Sequence, residues 1–115
     1  MAGPEITIEP ATGTWSVRAQ GAVIGETTNA LILKEGDYEP VVYVPRSDLQ
    51  MVFFDASDKT TKCPHKGDAT YFHLAGKSRR QENVAWSYET PHKSVEAIKD
   101  HLAFYQNEVT VEAVS

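Results

Sequence analysis

The chain has 115 residues, 41% of them hydrophobic and 10% aromatic, which is enough apolar material for one modest core and too little for a second domain, so residues 1–115 read as a single unit. One cysteine, Cys63, excludes an intramolecular disulfide and a multi-cysteine zinc site, and a net charge of -5 argues against general binding to nucleic-acid phosphates. No stretch approaches the roughly 20 apolar residues that span a bilayer, and the start lacks the basic flank and apolar run of a secretory leader, so the expectation is a cytoplasmic protein without membrane contact.

Residues 6–9 alternate apolar and polar side chains ahead of Pro10 and Gly13, predicting a short strand and a turn. Trp15, Val17 and Ala19 alternate with Ser16, Arg18 and Gln20, a half-buried strand that places Trp15 in the core. After Gly21, two β-type runs at 22–27 and 31–34 flank Thr28-Asn29, which supplies turn chemistry, and Glu35-Gly36-Asp37 ends the pair. Val41 to Val44 is rich in β-branched residues, and Pro45 stops it as a central strand because it has no N–H for the ladder. Arg46-Ser47-Asp48 forms a polar corner. Leu49, Met51, Val52, Phe53 and Phe54 lack a clean period and predict a turn-like or strand segment plugging the core, followed by a loop at 55–58.

Lys59 to Cys63 leads into a hairpin tip over Cys63 to Asp68, where Pro64 fixes φ for the second turn position and Gly67 takes the positive φ that closes the loop. This tip presents Lys62, His65 and Lys66 together. Beyond it, Ala69, Tyr71 and His73 share one strand face and Thr70, Phe72 and Leu74 the other. A polar, basic return at 76–81 precedes Val84, Trp86 and Tyr88 on one face, with Ala85 and Ser87 opposite, and Pro91 stops that strand. Ser94 is the expected N-cap of a short helix of one to two turns near residues 94–100. Strands at 102–105 and 109–113, joined by Gln106-Asn107-Glu108, complete an all-β, mainly antiparallel fold of the sandwich, open-barrel or tent-like kind.

The motifs Val-Val-Tyr-Val-Pro-Arg at 41–46 with Asp48, Thr-Lys-Cys-Pro-His-Lys-Gly-Asp-Ala-Thr-Tyr-Phe at 61–72, Val-Ala-Trp-Ser-Tyr at 84–88 with Pro91, and Leu-Ala-Phe-Tyr at 102–105 resemble those of the family known as domain of unknown function 427. They fall in family order across nearly the whole chain. His65 stands where family members commonly carry an aromatic. The resemblance implies a compact β fold of the tent or sandwich kind and no known activity. Although the family has been labelled nucleotidyltransferase, no Gly-Ser followed by paired aspartates is present to hold catalytic metals on a nucleotide.

Chemistry concentrates between Lys59 and Arg80, where six basic residues (Lys59, Lys62, Lys66, Lys77, Arg79, Arg80) face one acid, Asp68, in an otherwise acidic chain. Such an island either focuses a small anion onto one edge or is a row of solvated side chains along a long hairpin. Lys66 on its turn and Arg46 after Pro45 are positioned by stiff backbone, as recognition of a carboxylate or phosphate requires; the alternative is an ion pair of each with Glu35 or Asp48. Tyr43, Trp86, Tyr88 and Tyr105 occupy strand positions and offer an apolar body with a polar tip, suiting either a cavity wall or the core. Cys63, flanked by Lys62, His65 and Lys66, is a candidate nucleophile or redox sensor, or else a small packed residue. Cys63, His65 and His73 lack the paired arms of a zinc site, so neither a metal nor a cofactor is expected.

The leading expectation is a small-molecule binding protein whose pocket near the Cys63–Gly67 turn takes an anionic or aromatic guest through Glu35, Tyr43, Arg46, Cys63, Lys66, Trp86, Tyr88 and Tyr105. Two alternatives stand beside it. One is an enzyme in which Cys63 or Lys66 acts covalently, or Tyr43 and Glu35 exchange protons. The other is an interaction module using a sheet edge or the acidic face, with homo-oligomerisation open.

Overall fold

A computed structural model describes residues 5–115; residues 1–4, on which most of the leader expectation rests, lie outside it. Ten strands follow in chain order: β1 (Ile6–Pro10), β2 (Trp15–Ala19), β3 (Ala22–Thr27), β4 (Leu31–Glu35), β5 (Val41–Pro45), β6 (Phe54–Cys63), β7 (Gly67–Ala75), β8 (Arg80–Ser87), β9 (His101–Phe104) and β10 (Thr110–Ala113). They form two antiparallel sheets, one of seven strands in the order β1-β4-β5-β9-β8-β7-β6 and one of three in the order β10-β2-β3. Neither closes into a barrel. The expected mainly antiparallel β fold is what forms, as two layers.

Period-two alternation sends the strands of the large sheet to two different environments. Val44, Phe72, Leu74, Ala85, Leu102 and Phe104 meet Val17, Ile24 and Val111 of the small sheet in one dry core. Their neighbours Tyr43, Ala69, Tyr71 and Ala103 point the other way and gather with Leu33, Tyr88, Val95 and Ile98. Trp15 packs at the margin of the first core and donates its indole N–H to Thr12 O at 3.0 Å. Leu49 bridges to Gly25, and Met51 and Phe53 also pack against that core, so the segment without clean periodicity does plug it.

Four local expectations change. The runs at 22–27 and 31–34 lie in different sheets, because Thr27 Oγ1 takes the Asn29 N–H and donates to Asp48, turning the chain away. Residues 55–58 belong to β6, where Ser57 Oγ holds the Lys59 N–H and the Asn83 side chain at an irregularity in the β6–β7 pairing. Val84 faces the dry core with Ala85, apart from Trp86 and Tyr88, since Asn83 takes a left-handed φ of 52° where the β7–β8 register shifts. Finally, the helix is a kinked 3-10 segment, Lys93–Ile98, preceded by His92 with no side-chain cap; Val95 departs from helical angles so that it and Ile98 can both be buried.

Candidate functional site

The hairpin tip sets the site. Pro64 and His65 occupy the centre of a turn closed by the Lys66 N–H on Cys63 O at 3.3 Å, and Gly67 follows with φ 116°. A side chain at Gly67 would be strained at that φ, and its Cβ would come within 3.3 Å of Thr90 O. The chain leaving β8 therefore lies against the tip, and the His92 N–H bonds Lys66 O at 2.9 Å. Clamped on both sides, Lys66 turns inward: its Nζ donates to Glu35 Oε1 at 2.7 Å, and the two side chains keep only 12% and 15% of their exposure. Lys62 goes the other way to an exposed pair with Asp68, so the tip does not present its cations together.

Above this pair the second face of the large sheet is hollow. β9 runs between β5 and β8, and Trp86 lies opposite Ala103. Two strand spacings separate β5 from β8 by about 10 Å. The short Ala103 side chain leaves room for the Trp86 indole to reach over β9, where its Nε1 donates to the Tyr43 hydroxyl at 3.3 Å. Tyr71, opposite Trp86 on β7, is fixed by a 2.9 Å hydrogen bond with Thr61, and the Tyr105 ring lies 4.8 Å from Trp86 at a tilt of 52°. Together with Tyr88 and Tyr38, these rings line a cavity of about 260 Å³ whose remaining walls are Leu33, Glu35, Glu39, Val41 and Lys66. Tyr43, Tyr71 and Tyr88 are buried at its floor, whereas Tyr105, 40% exposed, and Tyr38, 73% exposed, stand at its rim.

The electrostatics follow from burial and pairing. Desolvation works to lower the pKa of the Lys66 amine, but its hydrogen bond to Glu35, helped by Cys63 and Tyr43, leaves it above the ordinary 10.5. It is held as an ammonium. Burial pushes the Tyr43 phenol well above 10.0, with the Trp86 hydrogen bond opposing in part, and it does the same to Tyr88, where Cys63 adds to the effect. Both phenols stay protonated at neutral pH.

Six of the eight residues singled out in the sequence line this one hollow: Glu35, Tyr43, Lys66, Trp86, Tyr88 and Tyr105. Cys63 packs against the rings from behind and opens instead on a separate depression with Pro64, Gly67, Asp68, Thr90 and His92. Arg46 does not join them. Its guanidinium lies 5.3 Å from the Phe72 ring centroid and bonds Glu89 at 2.9 Å and the buried Ser87 at 3.4 Å, which is the opposite face of the large sheet. Glu89 takes the place foreseen for Glu35 or Asp48. The basic island is also dispersed, with Lys59 over the Tyr71 ring at 4.6 Å, Lys62 on Asp68, Lys66 on Glu35 and Arg80 on Asp55.

His73 accepts the Asn83 N–H through Nδ1, six residues and roughly 20 Å along β7 from the tip, so it does not meet Cys63 and His65. Among the described residues no three His, Cys, Asp or Glu side chains gather as metal ligands, and no helix is long and apolar enough to cross a membrane.

Five liners escaped the sequence reading: Leu33, Tyr38, Glu39, Val41 and Tyr71. Tyr71 had a signal, since it shares a face of β7 with Ala69 and lies opposite Trp86. Tyr38 and Glu39 had none, because nothing in a Gly36-to-Pro40 connection announces which way its side chains fold back.

A family profile, domain of unknown function (DUF427), matches residues 7–115. The chain belongs to the DUF427 family. In this DUF427 chain, residues 61–72 form the hairpin tip and residues 84–88 the ring-bearing end of β8 and the residue after it. Among curated proteins compared with the chain, none matches.

Proposed function

We propose that this DUF427 protein binds a small planar molecule in the hollow on the open face of its large sheet. The observation that carries the reading is six aromatic rings facing an accessible cavity of about 260 Å³ around a nearly buried Lys66–Glu35 pair. Rings that served only as core would meet each other and leave no space between them. The size suits one or two fused rings, and faces such as Trp86 and Tyr105 favour stacking or edge contacts with a flat guest. A purely anionic guest held by two cations has less support, because Arg46 is on the other face and Lys66 is already neutralised.

Covalent chemistry is also less supported. An ammonium has no lone pair for attack, so Lys66 is a poor nucleophile while Glu35 holds it. Phenols raised well above their ordinary range are weak proton donors, which works against exchange between Tyr43 and Glu35. Cys63 faces a different depression.

The test is an NMR titration of the isotope-labelled protein with indole, alongside the Tyr105→Ala variant. Indole is expected to shift the Trp86 side-chain resonance and the amides of Lys66, Tyr88 and Tyr105. Removing the Tyr105 ring is expected to weaken binding by about tenfold, the equivalent of 1.4 kcal/mol. Shifts scattered over the surface, or an unchanged affinity in the variant, would overturn the proposal.

A further inference from the structure

The inference rests on the reading of the hollow as a ring-binding site and concerns the group that its guest carries inward. We infer that the guest enters with an uncharged hydrogen-bond acceptor, a carbonyl or carboxamide oxygen, and that the floor selects against carboxylates and phosphates.

Charge is the first ground. Lys66 and Glu35 are 2.7 Å apart and almost out of solvent, so the floor holds one positive and one negative charge and no surplus of either. An anion arriving at Lys66 must lie beside the Glu35 carboxylate or displace it. Either course buries like charges next to each other or strands Glu35 without a partner. Glu39 at the rim adds a second carboxylate to the approach.

Hydrogen bonding is the second ground, and it is independent of charge. Lys66 has three N–H donors, and Glu35 is the one acceptor found for them among the described residues. The Tyr43 hydroxyl already receives the Trp86 indole proton, so its own proton must be given elsewhere. Tyr88 is 6% exposed, and its hydroxyl has no nitrogen or oxygen partner among the described residues; its neighbour is the Cys63 thiol, a weak acceptor. Two N–H donors of Lys66 and the hydroxyl protons of Tyr43 and Tyr88 thus have no nitrogen or oxygen acceptor among the described residues. A ring that covers these donors without bringing an acceptor leaves them unmade at a cost, whereas a carbonyl oxygen with two lone pairs satisfies two of them without bringing a charge.

Naphthamide and naphthoate share a ring system and nearly a shape, and differ in whether the head is neutral or ionised at pH 7. Titrating both into the full chain, followed by the resonances of Trp86 and Tyr105, reads the selectivity directly. The carboxamide is expected to bind the unmodified protein at least about tenfold more tightly than the carboxylate. Glu35→Gln keeps an acceptor for Lys66 and removes the negative charge, so in that variant the ratio is expected to move by about tenfold or more toward naphthoate. If naphthoate binds the unmodified protein as well as naphthamide, or if Glu35→Gln leaves the ratio where it was, the inference falls while the ring site stands. If neither compound nor indole moves the Trp86 and Tyr105 resonances, both fall. The comparison in the unmodified protein needs no variant, so a poorly folded Glu35→Gln protein would not protect the inference.

Discussion

The two faces of the seven-stranded sheet are built from the same strands, yet one is packed solid on the three-stranded sheet, apart from an apolar depression of about 240 Å³ beside the 76–78 turn, and the other is a ring-lined hollow. On the solid face, aliphatic side chains such as Val44, Leu74 and Leu102 pack with Val17, Ile24 and Val111 of the three-stranded sheet. On the hollow face, long rings alternate with very short residues: Tyr43 and Trp86 flank Ala103, and Tyr71 and Tyr88 share a face with Ala69. Among the described residues no second sheet covers that side; the Lys93–Ile98 segment packs there through Val95 and Ile98. Large beside small creates space when no second layer arrives to fill it. The lesson is that a cavity can be specified by residue size at alternate strand positions, with the fold itself unchanged.

The strongest way to break this comparison is to disturb the charge pair on the hollow face. Lys66→Met leaves the Glu35 carboxylate nearly buried and alone, and should destabilise the protein by about 3–5 kcal/mol in a denaturant titration. Replacing both partners, Glu35→Leu with Lys66→Met, removes the two desolvation costs together and should return stability close to that of the unmodified protein. Recovery in the double variant would mark the pair as serving the site more than the fold. A double variant as unstable as the single one would instead make the pair structural.

On the solid face, Leu102→Ala opens a void where no side-chain surface is exposed, with an expected loss of about 2–5 kcal/mol. Indole affinity of the folded fraction should be unchanged, because Leu102 points away from the rings. A loss of affinity without further unfolding would show that the two faces communicate.

Alkaline pH separates the faces by another route. Lys66, Tyr43 and Tyr88 hold their protons in the folded chain at pH values where the unfolded chain, with ordinary values of 10.0 for tyrosine and 10.5 for lysine, releases them. The folded state then binds more protons than the unfolded state, so stability must fall as pH rises beyond about 10. The melting temperature should be flat from neutral pH to that point and drop above it, with a shallower drop in Tyr88→Phe. A slope in Tyr88→Phe as steep as in the unmodified protein would mean that the titration lies elsewhere.

Much of the hollow was legible because it is written in period two. Tyr43 and Trp86 sit on strands where alternation fixes the face, Tyr88 follows β8 directly in the same period, and Pro64 with Gly67 announces the turn that aims Lys66. Even the pairing of Lys66 with Glu35 was among the readings of the sequence. What escaped depends on local irregularity or on distance in sequence. The left-handed Asn83 moves Val84 to the other face, and no composition signal marks an asparagine as the site of a register shift. Arg46 follows the strand directly, but the 3-10 turn Arg46–Asp48 redirects its side chain toward Glu89, 43 residues away. Such a partner cannot be chosen from sixteen acids by spacing alone.

Arg46 also supplies the smallest and sharpest test of the two faces. Its ion pair with Glu89 is partly exposed, 30% and 43% by side chain, and it lies over Phe72 on the solid side. Arg46→Gln gives up that screened pair and the cation on the ring, and should cost about 1 kcal/mol in denaturant unfolding. Affinities for indole, naphthamide and naphthoate should all stay as they are, because the guanidinium never reaches the hollow. If the variant instead lost naphthoate alone, Arg46 would have to swing across the sheet edge to meet an anion. The separation of a charge-neutral aromatic floor from a structural arginine behind it would then be wrong.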